Sequence, residues 1–230
     1  MPEKLPIVVI ACKVFEGLLE RYLPDGLAKD IHFLDYGLHR VPRKLKTALQ
    51  EQIDSLEQPS LVVLGYGLCG NGLHGIKAGQ HILLIPRTDD CIAILLGSYQ
   101  DYKREFESAP GTYYLSKGWL ESGSNPLQEY HAYVEKYGKE QADWLVDQQY
   151  RNYKRLALVA HEQADLTHYR PQAEEVARFC AKWGMRYEEI LGSDQYVREL
   201  VQIATALDSA NDEFLVIPPG GEISQIQFLR

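Results

Sequence analysis

The 230-residue chain is 45% hydrophobic and 24% charged, with a formal net charge of -8. That composition supports one large or two small packed α/β domains and excludes a disordered chain; the acidic balance argues against a general nucleic-acid binder, which would carry a basic face. No apolar run approaches the about 20 residues of a membrane helix, and MPEKLPIVVIACK enters a strand without a cleavable signal pattern, so the expected setting is cytoplasmic, with no membrane partner.

Residues 6–11 (PIVVIA) read as the first strand, with Cys12 at its end, and 15–22 as a helix that stops before Pro24 and Gly26. A second short strand at 31–34 has Tyr36, Gly37 and His39 in its exit loop. Pro42 suits the start of a helix running through Leu45, Leu49, Ile53 and Leu56. The runs at 61–64 and 82–85 are short, rich in Val, Ile and Leu, and bounded by turn residues, the pattern of strands buried on both faces of a parallel sheet. Each is followed by a turn carrying a cysteine. Gly65, Gly67, Gly70 and Gly72 crowd around Cys69 and predict backbone that bends sharply or approaches another chain segment closely. Thr88 or Asp89 is the expected N-cap of a helix holding Cys91, Ile94 and Leu95.

From 99 to 152 the pattern changes to a tyrosine-rich section: a turn at 109–111, a short strand at 112–115, and helices at 127–137 and 139–151 broken at Gly138. Tyr113, Tyr114 and Trp119 could line a pocket for a flat ligand, although aromatic core packing is the default. A second α/β series follows: a strand at 156–160 with His161 at its exit, a helix from 171 to 183 ended by Gly184, a strand at 187–191, a helix at 196–206 and a strand at 214–217. Pro218, Pro219, Gly220 and Gly221 after the last strand offer an anion nest or a plain turn. The expected architecture is α/β, with Rossmann-like parallel sheets in two similar lobes, residues 1–108 and 154–230, joined by a bridging helical section at 109–153. Two echoes suggest a repeat: VVIAC with ALVAH, and LLIPR with FLVIPP. In such a repeat His161 takes the place that Cys12 holds in the first lobe.

Ligands of open α/β sheets bind at the carboxyl ends of the strands, where Cys12, Cys69 and Cys91 all fall. Three thiolates plus an imidazole or water satisfy tetrahedral zinc, and three thiolates also hold an iron–sulfur cluster. His161, His39 and His74 lie in exit loops and are candidate fourth ligands. Cys91, in the first turn of a helix, would have its thiolate favoured by the helix dipole. Against this, free cysteine packs readily as a small hydrophobe, and no C-x-x-C pair is present. Cys180 reads as core. Asp90 is a candidate metal-site orienter or general base and Arg87 an anion clamp, with helix capping and a surface ion pair as the plainer roles. The loop with Gly67 and Gly70 could wrap a phosphate or other cofactor group, but GYGLCGNG matches neither the P-loop nor the dinucleotide fingerprint.

The pieces IACKVF, LGYGLCGNGL, IPRTDDCIAILLGS with its following tyrosine, and PGTYYLSKGW together resemble domain-of-unknown-function family 1638, uncharacterised proteins of anaerobic and methanogenic microbes. The resemblance implies a small α/β protein linked to corrinoid or one-carbon metabolism, with a corrinoid or methyltransferase protein as partner. This chain departs from the family pattern before Cys91, where Asp89-Asp90 stand in place of a histidine. Three functions follow from the residues and the resemblance. The first is a metal protein with zinc, iron or an iron–sulfur cluster on Cys12, Cys69 and Cys91, completed by His161 or His39. The second is a metal-free thiol enzyme with Cys69 or Cys91 as nucleophile and His74 or His161 as base. The third is a non-catalytic partner-binding module. Each is compatible with a homo-oligomer.

Overall fold

The structure, a computed structural model, describes residues 5–230. The chain divides into two compact units: Met1–Tyr99 with Asp194–Arg230, and Gln100–Ser193. The second is therefore an insertion in the first. The division differs from the one expected at 108 and 154, because the last helix and strand return to the first unit.

In the first unit, β1 (Ile7–Cys12) is buried along its whole length, and a single 3-10 turn (Lys13–Phe15) and α1 (Leu18–Tyr22) follow it. β2 (Ala28–Leu34) is largely open to solvent, with Lys29, Asp30 and Ile31 exposed. Charge on such a strand discourages pairing with another chain. A 3-10 turn (Tyr36–Arg40) leads to α2 (Pro42–Asp54), which starts with proline at its first position and buries Leu45, Leu49 and Ile53 along one stripe. β3 (Leu61–Gly65) is wholly buried and β4 (Ile82–Pro86) nearly so. α3 (Cys91–Leu96) follows β4; its N-cap is Asp90, not the Thr88 or Asp89 expected.

The second unit contains α4 (Tyr99–Ser108, from Gln100 onward), β5 (Thr112–Leu115), α5 (Lys117–Glu121), α6 (Pro126–Tyr137), α7 (Lys139–Tyr150), β6 (Arg155–Ala160), α8 (Gln163–Cys180) and β7 (Arg186–Leu191). Its sheet is parallel throughout, in the order β5-β6-β7. The core joins Leu115, Val146, Leu156, Leu158 and Val176, with Cys180 fully buried among them. Arg155 is also buried, yet fully engaged: it donates to Thr112 Oγ1 at 2.8 Å, to Glu105 at 2.7 Å and to Glu188 at 3.1 Å. α8 begins eight residues before the expected start, with Pro171 inside it. A buried Leu166 in its opening turns holds the helix to the core, which outweighs the hydrogen bond that proline removes.

The chain then re-enters the first unit with α9 (Gln195–Thr205) and β8 (Phe214–Ile217). The first sheet has the order β2-β1-β3-β4-β8, parallel over its first four strands, with β8 antiparallel to β4 (Leu84↔Val216). The echo between LLIPR and FLVIPP thus joins two neighbours in one sheet. Gly220 and Gly221 form a turn rather than an anion nest, since their N–H groups are spent on Gly79 and Pro218 carbonyls. No helix among the described residues is long and apolar enough to cross a membrane.

Candidate functional site

The four parallel strands of the first sheet end on one rim. In spatial order, β2 brings Asp35 and His39 there, β1 brings Cys12, β3 brings Tyr66 and Cys69, and β4 brings Thr88, Asp90 and Cys91. The chain moves outward from β1 to β2 and then crosses to β3 on the other side, so the strand order reverses between β1 and β3. In open α/β sheets this reversal is where ligands bind. Cys12 and Cys69 stand on either side of it.

Close backbone packing holds the β3 and β4 loops together. A Cβ on Gly65 would fall 2.5 Å from Ala11 Cβ, and one on Gly67 would fall 2.8 Å from both Asp90 N and Thr88 O. Only glycine lets these segments touch. Leu68 N–H donates to Thr88 O and Cys69 N–H to Asp89 O, each at 2.8 Å. Cys69 itself has φ 49°, and it is followed by Gly70 at 61° and Asn71 at 72°. A side-chain-bearing residue at positive φ costs on the order of 1 kcal/mol, so the loop holds Cys69 in a disfavoured backbone state to bring it beside the β4 loop.

The three thiols lie within one another's electrostatic reach. Burial pushes the Cys12 thiol up to about 11, with the Asp35 charge adding to it. Cys69 and Cys91 are raised further, first by desolvation and then by Asp90 and neighbouring cysteines. The expected help from the α3 dipole at Cys91 is outweighed. The backbone works the other way and lowers each pKa, through Val14 at Cys12, Gly67 at Cys69 and Cys91's own backbone at Cys91. Asp90, whose Oδ1 accepts from Ile92 N–H at 2.8 Å, is raised to about 6 by burial.

Tyr66 was not singled out by sequence. It is buried, and its hydroxyl has no hydrogen-bond partner. Burial raises its pKa first, and the charges of Cys12, Cys69, Cys91 and Asp35 raise it further. Its only sequence signal is its place in GYGLCG, between two glycines and three residues before Cys69.

The other expected site residues fall as follows. His39 is half-buried in the turn after β2, and burial lowers its pKa. His161 is at the exit of β6 in the second unit. His74 is exposed, and its Nδ1 accepts from Gln225 N–H at 3.3 Å. Arg87 donates to the carbonyls of Gln227 and Leu229, each at 2.6 Å, so its guanidinium clamps the C-terminal segment and not an anion. Gly67 serves packing, and Gly70 is part of the left-handed turn. Among the described residues, no group of three or more His, Cys, Asp or Glu side chains is placed so that it could hold a metal ion.

No curated protein and no solved structure matches the chain. One family model matches residues 33–201, through Cys69, Cys91 and His161. With well over half of its length matched, the chain belongs to DUF1638, a family of proteins of unknown function.

Proposed function

We propose that Cys12, Cys69 and Cys91 form a thiolate site for a soft metal, zinc or an iron–sulfur cluster, at the carboxyl rim of the first sheet. The observation that carries this reading is that the neighbouring parallel strands β1, β3 and β4 bring Cys12, Cys69 and Cys91 to one rim, with the Cys69 loop hydrogen-bonded to the loop before Cys91 through Leu68 and Cys69 N–H. Without a cation, each thiolate opposes ionisation of the next. A coordinated thiol is deprotonated outright, and hydrogen bonds to the sulfurs are a usual support of metal thiolates. A shell closed by His39 makes the site structural, whereas an open position allows Lewis-acid or methyl-transfer chemistry. The link to corrinoid or one-carbon metabolism, with a corrinoid or methyltransferase protein as partner, rests on the family resemblance alone. A cytoplasmic setting, where thiols stay reduced, belongs to the same proposal.

The metal-free thiol enzyme has less behind it. Burial holds all three thiols protonated, and the nucleophile must be a thiolate. The deciding experiment is elemental analysis with a visible spectrum of anaerobically purified wild type and Cys69→Ser. Near-stoichiometric metal, lost in the variant, is expected. Brown protein identifies iron–sulfur and colourless protein zinc. Wild type that holds no metal, even after anaerobic reconstitution with zinc or with iron and sulfide, refutes the proposal and returns the thiol enzyme to first place.

A further inference from the structure

Two large aromatic side chains of the second unit stand outside its core on α6 and α7, the helices joined by Gly138 alone. Tyr137 is 49% and Trp144 57% exposed, whereas Trp119 and Trp183 pack against the core of that unit. Tyr133, Tyr137, Gln141 and Leu145 line a groove of about 580 Å³, and Tyr137, Glu140, Gln141 and Trp144 line one of about 600 Å³. The two share Tyr137 and Gln141, so they run together as one trough. From Tyr137 to Leu145 its lining recurs every three or four residues over two helical turns, the spacing with which one helix receives another. Aromatic side chains grouped in this way on an open surface belong to contact sites.

The charges beside the trough decide what it fits. The Lys139 ammonium is paired with the Asp143 carboxylate, and Lys136 Nζ stands 4.9 Å from the centroid of the Tyr137 ring. Glu140, in the lining itself, has no hydrogen bond or ion pair among the described residues. The neighbouring cations are therefore engaged and the carboxylate is not. A guanidinium answers both parts of such a surface, since it stacks on aromatic faces and pairs with a carboxylate through two N–H groups. A second copy of this chain is the poorer occupant, because two-fold docking sets one acidic trough against another in a chain of net charge -8.

We propose that the trough on α6 and α7 is a docking surface for an arginine-bearing amphipathic helix of a partner protein. The apolar stripe of that helix lies on Tyr133, Tyr137 and Leu145, and an arginine enters between Trp144 and Glu140. Trp144 is the anchor of the contact, and Glu140 sets the sign of charge that the partner must carry. The surface belongs to the second unit alone and does not rest on the three-thiol reading.

Two synthetic helical peptides test this. They share one leucine stripe and differ only in the polar face, arginine in one and glutamate in the other. Each is titrated calorimetrically into the full chain at fixed ionic strength. The arginine peptide should bind saturably, one per chain, and the glutamate peptide should not bind. Trp144→Ala should weaken the arginine peptide about tenfold or more, and Glu140→Gln about two- to fivefold. Phe106→Ala removes an aromatic that is 55% exposed on α4 and outside the trough, so it should leave the affinity unchanged. All three positions are exposed, so the variants keep the fold. An arginine peptide that does not bind, or binds no better than the glutamate peptide, overturns the proposal. An equal loss in Phe106→Ala and Trp144→Ala does the same, since binding would then be unspecific. Sedimentation that shows a wild-type dimer dissociated by Trp144→Ala overturns it too, with a second copy as the occupant.

Discussion

Replacing Tyr66 by phenylalanine should stabilise the metal-free protein. The change removes one oxygen and leaves the ring in its packed position, so no cavity opens beyond the volume of a hydroxyl. The lost group is buried and unpartnered, so its desolvation cost of on the order of 1–3 kcal/mol is returned to the folded state. Native-state hydrogen exchange of the β1 and β3 amides reads this directly, because these strands are the buried centre of the first sheet. Protection should rise by a factor of about 5–150. Equal or lower protection of β1 and β3 in the variant would refute the reasoning, since the hydroxyl would then have a partner in the metal-free state.

Three further outcomes are expected. Asp90→Asn keeps the N-cap of α3, because asparagine caps as well as aspartate, but removes a carboxyl raised to about 6. The folded carboxyl binds its proton more tightly than the unfolded one, so wild-type stability of the metal-free protein falls as pH rises from about 4 to about 6. The variant's advantage over wild type should grow by about 3 kcal/mol across that window and stay constant above it; urea titrations at pH 4 and 7.5 measure it, and a pH-independent difference refutes it. Arg155→Met strands the Glu105 and Glu188 carboxylates beside a buried apolar side chain; as both are partly exposed, the loss should be about 2–3 kcal/mol, at or below the low end for a broken buried pair, read by tryptophan fluorescence in urea. Gly67→Ala drives a methyl group into the backbone of Thr88 and Asp90. It should cost about 2 kcal/mol or more and speed alkylation of Cys69 and Cys91, and unchanged alkylation rates would count against the loop contact.

The strands were the most legible part of the sequence. The expected strands at 112–115 and 214–217 match β5 and β8, and those at 6–11, 61–64, 82–85 and 156–160 match β1, β3, β4 and β6 within a residue. Short runs of branched apolar residues between turn residues encode burial on both faces, and that information is local. Pairing is not local. Nothing in FLVI tells a reader that it will lie antiparallel to β4, so the C-terminal lobe assumed from 154 onward was out of reach. The same holds at the site. The positions of Cys12, Cys69 and Cys91 after successive strands were readable, whereas the engagement of Arg87 by the Gln227 and Leu229 carbonyls depends on where the chain returns. Tyr66 escaped notice because an aromatic beside a strand is ordinarily core. What sets it apart is a missing hydrogen bond, and no residue pattern records one.

The antiparallel return of β8 has a consequence for synthesis on the ribosome. β4 is made early, but the strand that covers its outer edge follows only after the whole second unit, with roughly 130 residues between Pro86 and Phe214. At about 5–20 residues per second, that edge of apolar ILLIP stays unpaired for roughly 6–25 s. An uncovered apolar edge strand invites pairing with other chains. The second unit is contiguous in sequence and can complete its own sheet during the same interval. The nascent chain thus carries one finished sheet and one unfinished one, and the unfinished one contains the three cysteines.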